Sequence, residues 1–123
     1  GDSLRLYAVS RDGGTSWNVQ GEHSELVEPR CQGSLLNLMH GGRPTRRLLF
    51  CNPHDPRRRR NLSLCESRDN GRTWRHLTTV GPGPSAYSDL VRLDRNRVGV
   101  LYENGDADDL YRRISFTVVT LRP

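Results

Sequence analysis

The chain has 123 residues, room for one small domain or a piece of a larger one. Only 33% of the residues are hydrophobic and the mean hydropathy is −0.74, so the core is thin and no apolar run approaches the ~20 residues of a membrane-spanning helix. The net charge is +5 and all 19 basic residues are arginine.

Arginine without lysine fits the arginine-rich codon usage of a GC-rich genome. It also fits bidentate recognition of carboxylates or phosphates. The densest basic run, Arg57–Arg60, has no aromatic residues interleaved for base stacking, so no nucleic-acid partner is expected. The three cysteines, Cys31, Cys51 and Cys65, lack C-x-x-C spacing and read as buried small hydrophobes. The four histidines lie far apart in the sequence, so neither a metal site nor a cofactor is expected. There is no signal-peptide pattern, and the chain starts with Gly1 rather than Met. That start is expected to be a cut within a larger protein.

Taken in chain order, the segments read as short strands. "LRLYAVS" (4–10) alternates, and "SLLNLMH" (34–40) and "RRLLFCN" (46–52) flank a turn at "GGRPT". "RNLSLCES" (60–67), "TWRHLTTV" (73–80), "AYSDLVRL" (86–93), "RVGVLYE" (97–103) and "RRISFTVV" (112–119) follow. Each run is bounded by Gly, Pro, Asn or Asp, and none holds a helical period over three turns. An all-β chain with short connections is predicted. "NGDADD" (104–109) lacks the spacing and terminal Glu of an EF-hand and reads as an acidic hairpin turn. The sequon "NLS" (61–63) falls inside a predicted strand, where an accidental match is the simpler reading.

An octapeptide recurs. "SRDGGTSW" (10–17) and "SRDNGRTW" (67–74) share Ser, Arg, Asp, Gly and Trp at the same offsets. Each follows an alternating strand and puts a tryptophan at the start of the next. Asp12 and Asp69 can accept bonds from turn N–H groups. Gly14 and Gly71 can take φ > 0. Trp17 and Trp74 are expected to pack under the turn. Ser10 and Ser67 open the two copies, 57 residues apart. A period of that size in an all-β chain suggests propeller blades of four strands each.

The pattern S-x-D-x-G-x-T-W resembles the Asp box of sialidases and related propellers; the first copy has Ser16 in place of Thr. The longer series "LLFCNP…RRNLSL…SRDNGRTW…GPSAYSDL…VGVLYENG" resembles the C-terminal part of exo-sialidases, element by element and in order. "VEPRCQGSLL" (27–36) resembles the segment that precedes it, so the resemblance covers essentially the whole chain. It implies a partial six-bladed β-propeller over residues 1–123. The chain would hold the end of one blade, a complete blade and most of the next, with the remaining blades of the same protein as its partners.

Three positions carry over from the resemblance. Tyr87 in "SAYSDL" matches the catalytic nucleophile. Arg59, two residues before Asn61 in R-x-N-L-S, matches one of three arginines that grip the sialic acid carboxylate. Glu103 in "LYE" matches a carboxylate that orients another arginine of that cluster. The implied activity is hydrolysis of terminal α-linked sialic acids from glycoconjugates with retention, in a secreted or lysosomal-like setting.

The chemistry agrees with this assignment. Sialic acid carries its carboxylate on the anomeric carbon, which repels an Asp or Glu nucleophile; a neutral tyrosine can approach. The catalytic aspartate, two cluster arginines and the glutamate that activates the tyrosine find no matching motif in these residues. The isolated chain is therefore expected to be inactive. The alternative is a non-catalytic Asp-box propeller that binds glycans or proteins.

Overall fold

The computed structural model describes residues 3–123, and among these described residues there are eight strands and no helix. β1 (Leu4–Val9) and β2 (Val19–Val27) form an antiparallel ladder of their own. The others form one antiparallel sheet in chain order: β3 (Ser34–Asn37), β4 (Leu48–Pro53), β5 (Arg60–Ser67), β6 (Arg75–Arg92), β7 (Arg97–Asn104) and β8 (Arg113–Thr120).

The architecture turns on β6. Its first half pairs with β5, from Arg75↔Glu66 to Pro84↔Arg60, and its second half pairs with β7, from Ser85↔Asn104 to Arg92↔Val98. Gly81-Pro82-Gly83-Pro84 lies where the strand changes partner. Proline lacks an N–H and is tolerated where no ladder bond is needed from it. Two of the predicted strands, 73–80 and 86–93, are therefore one continuous strand. The sheet curls about this switch into two units. One is the four strands β3, β4, β5 and the first half of β6; the other is the second half of β6 with β7 and β8. The architecture is that of a partial β-propeller.

The two central strands of the four-stranded unit, β4 and β5, are buried on both faces, whereas β3 and the first half of β6 are only half-buried or exposed. Strand alternation sends Leu49, Cys51, Leu62 and Leu64 to one side, against Leu90, Val98, Val100 and Leu121 of the following unit. It sends Phe50 and Cys65 to the other side, where they meet Leu26 of β2 and Trp74. Full burial of each such Leu or Phe stabilises by roughly 1.5–3 kcal/mol. Burial also raises the thiols, Cys51 to about 11 and Cys65 to about 12, so both stay protonated packing residues as expected.

Both octapeptides close the turn with the aspartate and glycine bonds that the sequence analysis anticipates. Thr73 donates its N–H to Asp69 Oδ1 at 2.9 Å and its hydroxyl to Oδ2 at 2.6 Å; Ser16 does the same to Asp12 at 2.8 and 2.5 Å. Gly14 and Gly71 donate N–H to Ser10 Oγ and Ser67 Oγ, each at 2.8 Å, from φ of 92° and 86°. Hydrogen bonds from Ser16 and Thr73, then from the opening serines, hold the two aspartates at about 2, well below the ordinary 3.8.

The tryptophans differ. Trp74 is 8% exposed, donates Nε1–H to the Gly71 carbonyl at 3.2 Å and meets Phe50 edge-on at 6.1 Å between ring centres. Trp17 is 53% exposed, against the expectation that it packs under its turn. Its ladder has only two strands, so no neighbouring strand lies beneath it among the described residues.

β2 has no counterpart among the predicted strands. Its sequence VQGEHSELV is polar along most of its length, and only Leu26 is buried.

Candidate active site

Arg59, Tyr87 and Glu103 come together at one end of the strands, and the Asp69 box sits at the other. β5 links them: it begins beside Arg59 and runs eight residues to Ser67, roughly 25 Å at strand rise.

The β4–β5 connection decides which of the four consecutive arginines turns inward. Asp55 accepts N–H bonds from Arg57 and Arg58 at 2.8 and 2.7 Å and pairs with Arg60 Nε at 2.7 Å. Burial opposes its charge, but these N–H groups and Arg60 prevail and hold its carboxyl at about 2. The turn leaves Arg57, Arg58 and Arg60 exposed and Arg59 half-buried. Arg59 Nη1 donates to the Tyr111 hydroxyl at 2.9 Å and Nη2 to the Arg30 carbonyl at 2.8 Å. Its guanidinium lies over the Tyr87 ring, 5.8 Å from the centre, a cation–π geometry. Burial works to lower the Arg59 pKa; Cys31, Tyr111 and Tyr87 outweigh it and shift it upward.

Tyr87 is half-exposed on β6, at an irregularity between Ser85 and Ser88 in the pairing with β7. Glu103 Oε1 accepts the Tyr87 backbone N–H at 3.1 Å. Gln32 pairs edge-on with the next residue, donating Nε2–H to the Ser88 carbonyl and accepting the Ser88 N–H, both at 3.0 Å. The Ser88 hydroxyl donates to the Cys51 carbonyl at 3.3 Å, and Ser85 N–H donates to the Arg59 carbonyl at 3.0 Å. These bonds fix the backbone on either side of Tyr87 while its hydroxyl has no hydrogen-bond partner among the described residues.

Tyr87 and Glu103 also line an open groove of about 510 Å³ with Gln32, Asp89, Leu101 and Ile114; Arg59 is not part of its wall. Gln32, Tyr111 and the Arg30 carbonyl escape sequence reasoning. Gln32 lies in "VEPRCQGSLL", a resemblance that assigns it no role, and Tyr111 follows an acidic turn with no distinguishing signal. That turn is built as expected, with Asp106 Oδ1 accepting N–H from Asp108 and Asp109 at 3.2 and 3.1 Å. The Asn61 side chain of the sequon donates to the His54 carbonyl at 3.1 Å. Among the described residues, no cluster of three His, Cys, Asp or Glu is arranged to hold a metal ion.

A curled antiparallel sheet with an Asp box at one end of its four-stranded unit, a second Asp box on the β1–β2 ladder, and Arg59, Tyr87 and Glu103 in contact at the opposite end has the architecture of a partial β-propeller. The BNR repeat-like domain family matches residues 1–100, and the chain belongs to that family. It is 31% identical over 105 residues to a sialidase of Micromonospora viridifaciens, covering 82% of this chain and 16% of that one. Among solved structures, the Hadza microbial sialidase Hz136 superposes with a TM-score of 0.75 at 29% identity, over 98% of this chain and 23% of that one. The NanB sialidase of Streptococcus pneumoniae shares the fold with a TM-score of 0.78 at 19% identity, over 96% and 20%. The chain thus spans between 16% and 23% of the length of these relatives.

Proposed function

We propose that these residues are the C-terminal part of the catalytic propeller of an exo-sialidase, acting on sialylated glycans, with Tyr87 as nucleophile. The observation that carries this reading is the stacking of the Arg59 guanidinium over the Tyr87 ring at 5.8 Å, with Glu103 holding the Tyr87 N–H at the same strand ends.

The reaction follows from the substrate's charge. Arg59 spends N–H groups on Tyr111 and Arg30 and keeps others for a substrate carboxylate, which its planar fork can grip. A base takes the Tyr87 proton, and the phenolate oxygen bonds to the anomeric carbon as the bond to the leaving oxygen breaks. An acid protonates that oxygen. Water then attacks the same carbon, the tyrosyl bond breaks, Tyr87 recovers a proton, and two inversions give net retention. In this reading the acid, the base and the other arginines come from blades outside these 123 residues. Those blades also cover the apolar face on which Leu101, Ile114, Phe116 and Val118 are exposed.

A 4-methylumbelliferyl sialoside tests the proposal. Residues 1–123 alone should release no fluorophore, and a polypeptide from the same gene that includes the remaining blades should. In that longer polypeptide Tyr87→Phe should lose most of the turnover, and Arg59→Ala should raise KM more than it lowers kcat. Robust turnover by 1–123, or full activity in Tyr87→Phe, would overturn the assignment. Sialoglycan binding without turnover in the longer polypeptide would establish the non-catalytic alternative.

A further inference from the structure

The end of the molecule opposite Tyr87 carries a charge arrangement that the sialidase reading does not use. Two concavities of about 530 and 390 Å³ share Arg47 as a common wall. Together they are lined by six arginines, Arg47, Arg68, Arg75, Arg92, Arg95 and Arg122, and by no carboxylate.

One acid lies beneath them. The Glu66 side chain is 0% exposed and takes Arg47, Arg68 and Arg75 at 2.7, 3.0 and 2.8 Å. Arg92 spends its guanidinium on three backbone carbonyls, those of Asp94, Met39 and Arg95, each at 2.9 Å, which satisfies its donors without cancelling its charge. The Arg95 and Arg122 side chains have no partner among the described residues. The nearby Asp94 is neutralised by Arg97 at 2.7 Å. Six arginines less one carboxylate leave +5 around the two concavities, and a terminal carboxylate at Pro123 would leave +4.

At the Tyr87 end, by contrast, Asp55, Glu103, Asp106, Asp108 and Asp109 are interspersed with the arginines. The positive charge of the chain is therefore segregated rather than spread as a solvated coat. Crowded like charges repel, and an added anion relieves that repulsion.

We propose that this double cleft binds a linear sulfated polysaccharide. Guanidinium forks suit sulfate and carboxylate oxygens, and two adjoining concavities suit charged groups on successive sugars. Neither concavity has a Trp, Tyr or Phe in its wall, which disfavours a nucleic acid whose bases need stacking platforms. The proposal makes no use of Tyr87 and stands apart from the sialidase reading.

Immobilised heparin at neutral pH with stepped sodium chloride tests it on the chain itself. The chain should be retained. Arg95→Gln with Arg122→Gln should weaken binding at least tenfold at moderate salt and lower the slope of log affinity against log salt by about 1 to 2. Arg57→Gln with Arg58→Gln removes the same charge from the Tyr87 end and should leave the slope nearly unchanged. Arg95→Lys with Arg122→Lys should recover much of the retention. The substituted Arg95 and Arg122 side chains bond to nothing in the fold, and circular dichroism should confirm that the variants stay folded. Equal losses from the two glutamine pairs would reduce the effect to net charge and overturn the proposal. So would failure of the wild-type chain to bind, or displacement from heparin by duplex DNA of matched charge at lower concentration than by soluble heparin.

Discussion

The two Asp boxes, 10–17 and 67–74, are the same local structure in different surroundings. Their hydrogen bonds agree within about 0.1 Å, from the serine hydroxyl to the aspartate at 2.8 Å in both to the two bonds each aspartate accepts from residue 16 or 73. What differs is attachment. Trp74 is buried against Phe50, and the second box is flanked by Glu66 and Arg75, with Glu66 pairing to Arg75 and to the box's own Arg68, whereas Trp17 is exposed and Val9 and Asn18 stand at the positions of Glu66 and Arg75. The turn is written in eight residues, and its anchoring in the fold is not.

The comparison is sharpened most by truncating the tryptophans. Trp74→Ala should cost about 3–5 kcal/mol, because it empties a site bounded by Leu26, Phe50 and Cys65. Trp17→Ala should fall within about 0.5 kcal/mol, the range of surface substitutions. Urea unfolding of the two variants side by side checks this, and equal costs would show that Trp17 is buried in solution.

A smaller effect separates the boxes by pH. Glu66 would be raised by burial alone, but Arg75, Arg47 and Arg68 bring it down to about 2 from an ordinary 4.5. A carboxylate lowered in the folded state adds stability that is complete above its unfolded value and is lost as pH falls toward its folded one. Glu66 should therefore contribute above about pH 4.5 and fade between pH 4.5 and 2. Asp12 and Asp69 fade over the lower window from 3.8 to about 2. Trp74 fluorescence in a Trp17→Phe background should begin to change below pH 4.5, and Glu66→Gln should remove that first part of the acid limb. A titration that is the same with and without Glu66 would show the arginine cluster to be uncoupled from the box.

What the sequence discloses follows the same division between local and distant. β5 reads to the residue, 60–67, because both of its ends carry turn chemistry. β6 reads as two strands because Gly-Pro-Gly-Pro looks like a loop; only the exchange of β5 for β7 as partner explains why the chain stays extended there. β2 is silent because its alternation leaves just Leu26 buried. At the candidate site, Arg59, Tyr87 and Glu103 are found through resemblance rather than periodicity. Gln32 and Tyr111 are invisible because their bonds to Ser88 and Arg59 close over 56 and 52 residues. Glu103 shows how resemblance and contact complement each other: the pattern pairs it with an arginine, and its contact in the structure is the Tyr87 N–H.

The smallest effect concerns the glycines at the turn apex. Gly14 and Gly71 sit at φ of 92° and 86°, where an L side chain costs roughly 1–2 kcal/mol whatever the surrounding space. A methyl group on Gly14 would meet only the Trp17 ring at 3.8 Å, whereas one on Gly71 would also meet Leu48 Cδ1 at 3.4 Å, an ordinary contact. The backbone penalty for Gly→Ala should thus be nearly the same in the two boxes, unlike the tryptophan costs. Its expression should differ. In the second box the turn joins two strands of the buried unit, so Gly71→Ala should lower the global unfolding free energy. In the first box the turn closes a two-stranded ladder, so Gly14→Ala should open β1 and β2 by local unfolding before the rest of the chain. Amide hydrogen exchange resolves the two cases. Faster exchange confined to residues 4–27 in Gly14→Ala, and spread over β4, β5 and β6 in Gly71→Ala, is the expected outcome. Global acceleration by both substitutions would mean that the ladder and the sheet unfold as one unit, and that the two boxes differ in burial but not in cooperativity.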